Sequence, residues 1–261
     1  MTFKNIILEK KDRIARIILN RPDALNALDQ ETYTELYEAT VDIEKDDSIR
    51  VVIITGKGRA FCAGADLKSI SSLVGHTYKM LAFIEGCHRT YNAVENLSKP
   101  VIAAVNGMAL AGGLELVEAC DIVIVADTAK LADQHANYGL VAGGGGTQRL
   151  PRQISFRKAK ELLLTGDWIS AQEAERLGLV NKVVPADELE KAAEEMAQKL
   201  AKKSPMASKC IKNLVNKGMQ ADLYTGLQLE TTGAAAHFTT EDFREGLSAF
   251  GERREPDFKG R

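Results

Sequence analysis

Three short runs of β-branched and other apolar residues constrain the fold most: VVIITG (Val51–Gly56), VIAAVNG (Val101–Gly107) and DIVIVAD (Asp121–Asp127). Each is apolar at successive rather than alternate positions, which suits strands covered on both faces. Segments with helical spacing alternate with them, and parallel strands need such crossovers. The pattern predicts a mixed α/β fold. NIILEK and RIARIILN flank the polar KDR (Lys11–Arg13) and read as an antiparallel hairpin. Asp29 to Ile43 has helical spacing. SAQEAERLG reads as a complete short helix, with Ser170 and Glu173 as a capping box and Gly178 suited to the C′ position. LVNKVVP closes the strand-forming part.

No strand-like run follows Pro185. ELEKAAEEMAQKLAKKS places acidic residues first and lysines last, in accord with the helix dipole. MASKCIKNLVNKG and TTEDFREGLSAFGERR continue in helices. The sequence therefore divides into a core over residues 1–190 and a helical region over 191–261. That region can cap its own core or pack on a partner subunit.

Composition excludes several classes. The chain has 261 residues, 45% hydrophobic and 27% charged, enough for one large domain or one domain with an extension. A net charge of −2 implies no polyanion-binding surface. No window approaches the roughly 18 apolar residues of a membrane span. The first residues, MTFKNIILEKKDR, lack an apolar core followed by a cleavage site. Cys62, Cys87, Cys120 and Cys210 lie far apart, without C-x-x-C or metal-ligand spacing, and read as free thiols in a reducing, cytoplasmic setting. No metal is expected.

The glycine-rich stretches GGGG (Gly143–Gly146) and TGKGRA (Thr55–Ala60) match neither the Walker loop nor the dinucleotide fingerprint. Their glycines must serve tight turns or close backbone approach to a ligand. Two regions share one design. VVIITGKGRAFCAGADLKSI and VIAAVNGMALAGGLELVEAC each run from a strand through a glycine-bearing loop toward a helix. N–H groups at a helix start have no intrahelical partner. Gly112 and Gly113 lie at the second such junction, and Ala65 holds the matching place in the first. Two N–H groups aimed at one point would stabilise a carbonyl oxygen that gains negative charge.

Five stretches carry a resemblance to a known family: LNRPDALNALD (Leu19–Asp29), GKGRAFCAGADLK (Gly56–Lys68), KPVIAAVNGMALAGGLELVEACDIVIVAD (Lys99–Asp127), GGGGTQRLPR (Gly143–Arg152) and LTGDWISAQEAERLGLVNKVVP (Leu164–Pro185). Along nearly its whole length the chain resembles the crotonase superfamily, the enoyl-CoA hydratase/isomerase family. The resemblance implies a spiral core of repeated ββα units with a C-terminal α-helical trimerisation region. It also implies a homotrimer or homohexamer that binds acyl-CoA thioesters, with coenzyme A as part of the substrate and no separate cofactor, nucleic acid or membrane partner.

Position by position, the resemblance implies that Ala65 and Gly112 supply the oxyanion-hole N–H groups. It places Ala63, Asp66, Leu67 and Lys68 beside the coenzyme A moiety. Phe250 and Arg253 match a phenylalanine and a basic residue that help hold it, often from a neighbouring subunit. Glu115 in AGGLEL matches the first of two glutamates that hold one water in the family's hydratases. A carboxylate suits the task because it accepts a proton from water and, once protonated, donates one. Glu118 lies one helical turn on, where the family commonly has an apolar or small residue.

The second glutamate is missing. A gap-free count back from GGTQRL puts His135 in its place, within DQHANYG. A histidine there can polarise water or shuttle a proton, or it can shape the pocket for another acyl group. Asp133 and Tyr138 are further polar candidates. His76, His88 and His237 match no motif. The expected activity is hydration of an enoyl-CoA or the reverse dehydration, with Glu115 as principal acid/base and His135 as its partner. The alternatives are another superfamily activity (double-bond isomerase, thioester hydrolase or decarboxylase) and a catalytically silent CoA-binding protein.

Overall fold

The computed structural model describes residues 2–261. Strands β1 (Ile6–Lys11) and β2 (Ile14–Leu19) form the hairpin expected from NIILEK and RIARIILN. Asp12 and Arg13 close it with two left-handed residues, φ 51° and 70°, the geometry that matches the twist of paired strands. Helix α1 (Gln30–Glu44) starts at the Asp29 cap, whose carboxylate accepts the Thr32 N–H.

Three ββα units follow. Strands β3 (Val51–Gly56) and β4 (Ala60–Cys62) lead to α2 (Leu67–Ser71) and α3 (Thr77–Asn96). Strands β5 (Val101–Val105) and β6 (Met108–Leu110) lead to α4 (Gly112–Glu118). Strands β7 (Ile122–Ala126) and β8 (Lys130–Ala132) lead through a 3₁₀ turn (His135–Tyr138) to α5 (Gly146–Gln153) and α6 (Phe156–Thr165). In each unit the first strand joins a six-stranded sheet ordered β1-β2-β3-β5-β7-β10, and the second joins a four-stranded sheet ordered β4-β6-β8-β9. Strand β9 (Ile169–Ser170), helix α7 (Ala171–Arg176) and strand β10 (Lys182–Val184) complete the two sheets. From β2 to β10 the large sheet is parallel, and β3 and β5 are buried almost throughout, as their unbroken apolar runs require.

Half of the expected capping box at α7 forms. Ser170 Oγ accepts the Glu173 N–H at 3.1 Å, but the Glu173 carboxylate turns to Arg176 at 3.0 Å instead of back to Ser170. Gly178 takes φ 79°, and the Leu179 N–H reaches the Ala174 carbonyl at 2.9 Å, which closes the helix as expected.

Helix α8 (Leu189–Ala201) straddles the boundary expected at residues 190/191. It packs on β2, β3, β5 and β7 through buried Ala193, Ala197 and Ala201. The helices that stand off the sheet are α9 (Pro205–Gly218), α10 (Leu223–His237) and α11 (Glu241–Glu252). Helix α10 pairs with α9 and has no buried residue. The last residues fold back onto α11: buried Asp242 accepts the Ser204 hydroxyl at 2.6 Å and the N–H groups of Lys259 and Gly260 at 2.9 Å each. Among the described residues no helix is long and apolar enough to cross a membrane.

Candidate active site

The second ββα unit places Glu115. Strand β6 ends at Leu110, and Ala111 turns the chain into α4 with φ 47° and ψ −116°, a conformation costly for a residue with a side chain. Its N–H is held by the Ala132 carbonyl at 2.9 Å. Gly113 follows because any side chain there would strike the Cys62 carbonyl on β4. One turn into the helix, Glu115 is 2% exposed. Its Oε1 accepts the N–H groups of Gly144 and Gly146 at 2.7 and 2.9 Å. Oε2 takes no hydrogen bond from the described residues.

These bonds explain the glycine run. A side chain at Gly144 would overlap the Tyr91 ring and the Glu115 carboxylate. Gly145 has φ 123°, and a side chain there would overlap the Arg149 guanidinium. Arg149 fastens the loop by donating to the Gly144 carbonyl at 2.8 Å while pairing with Glu95 at 2.7 Å and Asn92 at 2.7 Å on α3. The glycines let main chain approach a side chain of the protein itself.

His135 opens the 3₁₀ turn that follows β8. Its side chain is 13% exposed, and its Nδ1 lies 2.8 Å from Asp133 Oδ1. The same oxygen accepts the His135 main-chain N–H at 3.3 Å. Burial pulls the imidazole pKa down, but the bond to Asp133 and the charges of Asp133 and Glu115 outweigh it, and the net shift is upward. Asp133 is 2% exposed, and its Oδ2 has no partner. A side chain at Gly146 would begin 3.1 Å from that Oδ2 and 3.4 Å from Glu115 Cγ, so the Asp133–His135 pair lies beside Glu115. Glu118 is 3% exposed with both carboxylate oxygens unpartnered. Burial above all, then the charges of Glu115 and Asp133, push its pKa well above the usual range. Tyr138, by contrast, is 68% exposed.

The two expected N–H groups are neighbours. A side chain at Gly112 would begin 3.3 Å from the Ala65 nitrogen, and one at Gly64 would begin 3.2 Å from the Gly112 nitrogen. Leu28 bridges this segment: its N–H donates to Gly64 and its carbonyl accepts from Asp66. Strand alternation turns the intervening Ala65 N–H away from Leu28. Among the described residues neither the Ala65 nor the Gly112 N–H reaches an acceptor. Tyr91, fully buried, donates to the Gly112 carbonyl at 2.7 Å and contacts the Tyr33 hydroxyl at 3.0 Å.

Ala63 and Ala65 are half-buried on the same strip, and Leu67 and Lys68 open α2 at the surface. The Asp66 side chain is committed to structure. It pairs with Arg21 at 3.0 Å and caps α2 through the Lys68 N–H at 3.0 Å. Burial would raise its pKa, but Arg21 and the main-chain donors outweigh it and hold the carboxyl below its ordinary value. Phe250, 87% exposed on α11, and Arg253 at its end are exposed in the single chain.

Comparison with known proteins identifies the family. The family model for enoyl-CoA hydratase/isomerase matches residues 9–261. The chain belongs to the enoyl-CoA hydratase/isomerase family. A short-chain-enoyl-CoA hydratase of Clostridium acetobutylicum is 41% identical, with both chains covered in full. A crotonyl-CoA hydratase of Syntrophomonas wolfei is 39% identical over 99% of each chain. The crystal structure of an enoyl-CoA hydratase from Bacillus anthracis superposes with a TM-score of 0.94 at 42% identity, covering 99% of this chain and 100% of that one. The crotonase-type ββα spiral expected from the resemblance is thus the observed fold.

Within this enoyl-CoA hydratase/isomerase framework, sequence reasoning missed Tyr33 and Tyr91 as supports of the site and did not foresee the contacts made by Arg149 and Asp133. Tyr33 and Tyr91 sit on helices remote in sequence, and their hydroxyls converge only in three dimensions. Arg149 stood within a matched motif, but its hold on Gly144 is a tertiary contact. The bond from His135 to Asp133, two residues back, depends on the conformation of the loop after β8.

Proposed function

We propose that the protein hydrates the 2,3 double bond of an enoyl-CoA thioester, and catalyses the reverse dehydration. The observation that carries this reading is the fixed Glu115 carboxylate, with Oε2 free, close to two neighbouring N–H groups that have no protein acceptor. In the reaction the thioester oxygen takes the Ala65 and Gly112 N–H groups. Water attacks the β-carbon and gives a proton to Glu115 Oε2. The π electrons shift toward the thioester, and the enolate oxygen gains charge where the two donors wait. His135, across from Glu115, delivers a proton to the α-carbon in place of a second glutamic acid. Its upward-shifted pKa supports this role, because more imidazolium is present near neutral pH.

Ala63, Leu67 and Lys68 border the coenzyme A moiety, and Asp66 shapes that border through its cap and ion pair. Phe250 and Arg253 act from a neighbouring copy in a trimer or a pair of trimers, which accords with their exposure here. The setting is cytoplasmic, in fatty-acid metabolism.

A turnover screen tests the reading. Straight-chain, branched and alicyclic enoyl-CoA esters are incubated with the enzyme, and 3-hydroxyacyl-CoA is quantified. Hydration of at least one class is expected. Tight binding of all with turnover of none would overturn it in favour of a silent CoA-binding protein.

A further inference from the structure

We propose that Asp133 is the positioning residue for His135: its buried Oδ1 holds the ring by Nδ1, so that Nε2 is the nitrogen that gains and loses the proton at the thioester. This rests on the reading of His135 given above and adds a residue and an atom to it.

Three observations carry the assignment. First, Asp133 Oδ1 already accepts the His135 main-chain N–H, so it faces the ring as an acceptor, and Nδ1 must bring the hydrogen. Second, Asp133 is 2% exposed while Nε2 has no partner among the described residues, which leaves one end of the imidazole fixed and the other available. Third, the Gly146 main chain brings Asp133 Oδ2 and Glu115 Cγ to the same small space, so the residue that holds the ring borders the other acid/base group, whose charge reaches the imidazole.

The surrounding charges favour the same arrangement. Glu115 and Glu118 approach from α4, and Arg149 from α5 is occupied by Glu95 and Gly144. Helix α6, packed on the 3₁₀ turn, carries Arg157, Lys160 and Glu161 at the solvent surface, and Lys158 paired with Glu161 at 2.8 Å. No cation on these elements competes with the imidazolium for Asp133. The site then joins one carboxylate to one imidazole instead of joining two carboxylates, and Asp133 favours the protonated form of that ring.

Nitrogen-15 NMR on histidine-labelled enzyme tests this directly, with only four histidines to assign. In the unaltered protein, above the His135 midpoint, the neutral ring should carry its hydrogen on Nδ1. In Asp133→Asn the His135 midpoint should fall by about one pH unit or more, the scale of a lost neighbouring charge. The basic limb of kcat/KM should move to lower pH by the same amount, with kcat reduced about 10-fold or more and KM little changed. A neutral ring protonated on Nε2, or an unmoved midpoint in folded Asp133→Asn, would overturn the assignment while leaving His135 free to act. The tautomer measurement needs no variant, so a folding defect in Asp133→Asn does not block it. A midpoint that moves while the pH profile of His135→Gln matches the unaltered enzyme would overturn it differently, by removing His135 from the reaction.

Discussion

Arg149 and Glu115 hold opposite ends of one residue: the guanidinium donates to the Gly144 carbonyl at 2.8 Å, and the carboxylate accepts the Gly144 N–H at 2.7 Å. The position of Glu115 therefore depends on a side chain that has no need to touch substrate. Arg149→Met should lower kcat by about 10- to 100-fold, the scale expected when a reacting group is misplaced by an ångström or so. Steady-state kinetics beside a thermal melt would separate this loss from unfolding.

Glu115→Gln tests the carboxylate itself. The amide oxygen can still accept the two glycine N–H groups, so the loop should keep its shape. Hydration should fall by roughly 10²-fold or more, the usual scale for a general acid/base group, while acyl-CoA binding survives. Unchanged turnover by stopped assay would place the chemistry elsewhere.

Glu118 predicts a pH dependence of stability. Its folded pKa is raised by burial, so folding favours its protonated form. The cost of keeping it buried is smallest below its unfolded pKa and grows as pH rises from there toward the folded value. Glu118→Met removes that cost. The variant should already exceed the parent near pH 4 by about 1–3 kcal/mol, the scale of a buried unpartnered polar group, and the gap should widen toward neutral pH. Denaturant titrations at several pH values would measure the difference.

Backbone strain gives an opposed pair of variants. Ala111 sits at φ 47° and ψ −116°, which costs about 1–3 kcal/mol for a residue with a side chain. Glycine loses about 0.4–1 kcal/mol more chain entropy on folding than alanine. Ala111→Gly should therefore be as stable as the parent or more so. Gly145→Ala should lose about 1–3 kcal/mol, since it meets both φ 123° and Arg149. Urea midpoints would rank the three proteins.

Assembly can be checked in solution. Leu223, Tyr224 and Leu227 on α10 and Leu247 and Phe250 on α11 are all exposed in the single chain. Apolar surface of this extent is usually covered. Light scattering should give three or six times the chain mass, and a stable monomer at working concentration would remove the proposed trimer.

The large sheet was legible because β3, β5 and β7 are buried on both faces and show it as unbroken apolar runs. The small sheet was not, because β4, β6 and β8 have three residues each, too few to show a period. Helix α8 looked like tail rather than core because its buried face is alanine, a weak apolar signal. The start of α4 at Gly112 was readable from its glycines, and His135 drew notice only through a count back from GGTQRL. What holds each in place was not readable, because Ala132, Asp133 and Tyr91 act through contacts that only the folded chain creates.

Glu115 reads the loop by parity: it binds the N–H groups of Gly144 and Gly146 and skips Gly145. Adding or removing one residue would exchange the bound peptides for the skipped one, and the two donors would no longer reach the carboxylate together. Surface loops ordinarily absorb changes in length with little harm. This segment instead behaves as a ruler, and descendants of the sequence are free to vary the residues around it far more readily than their number.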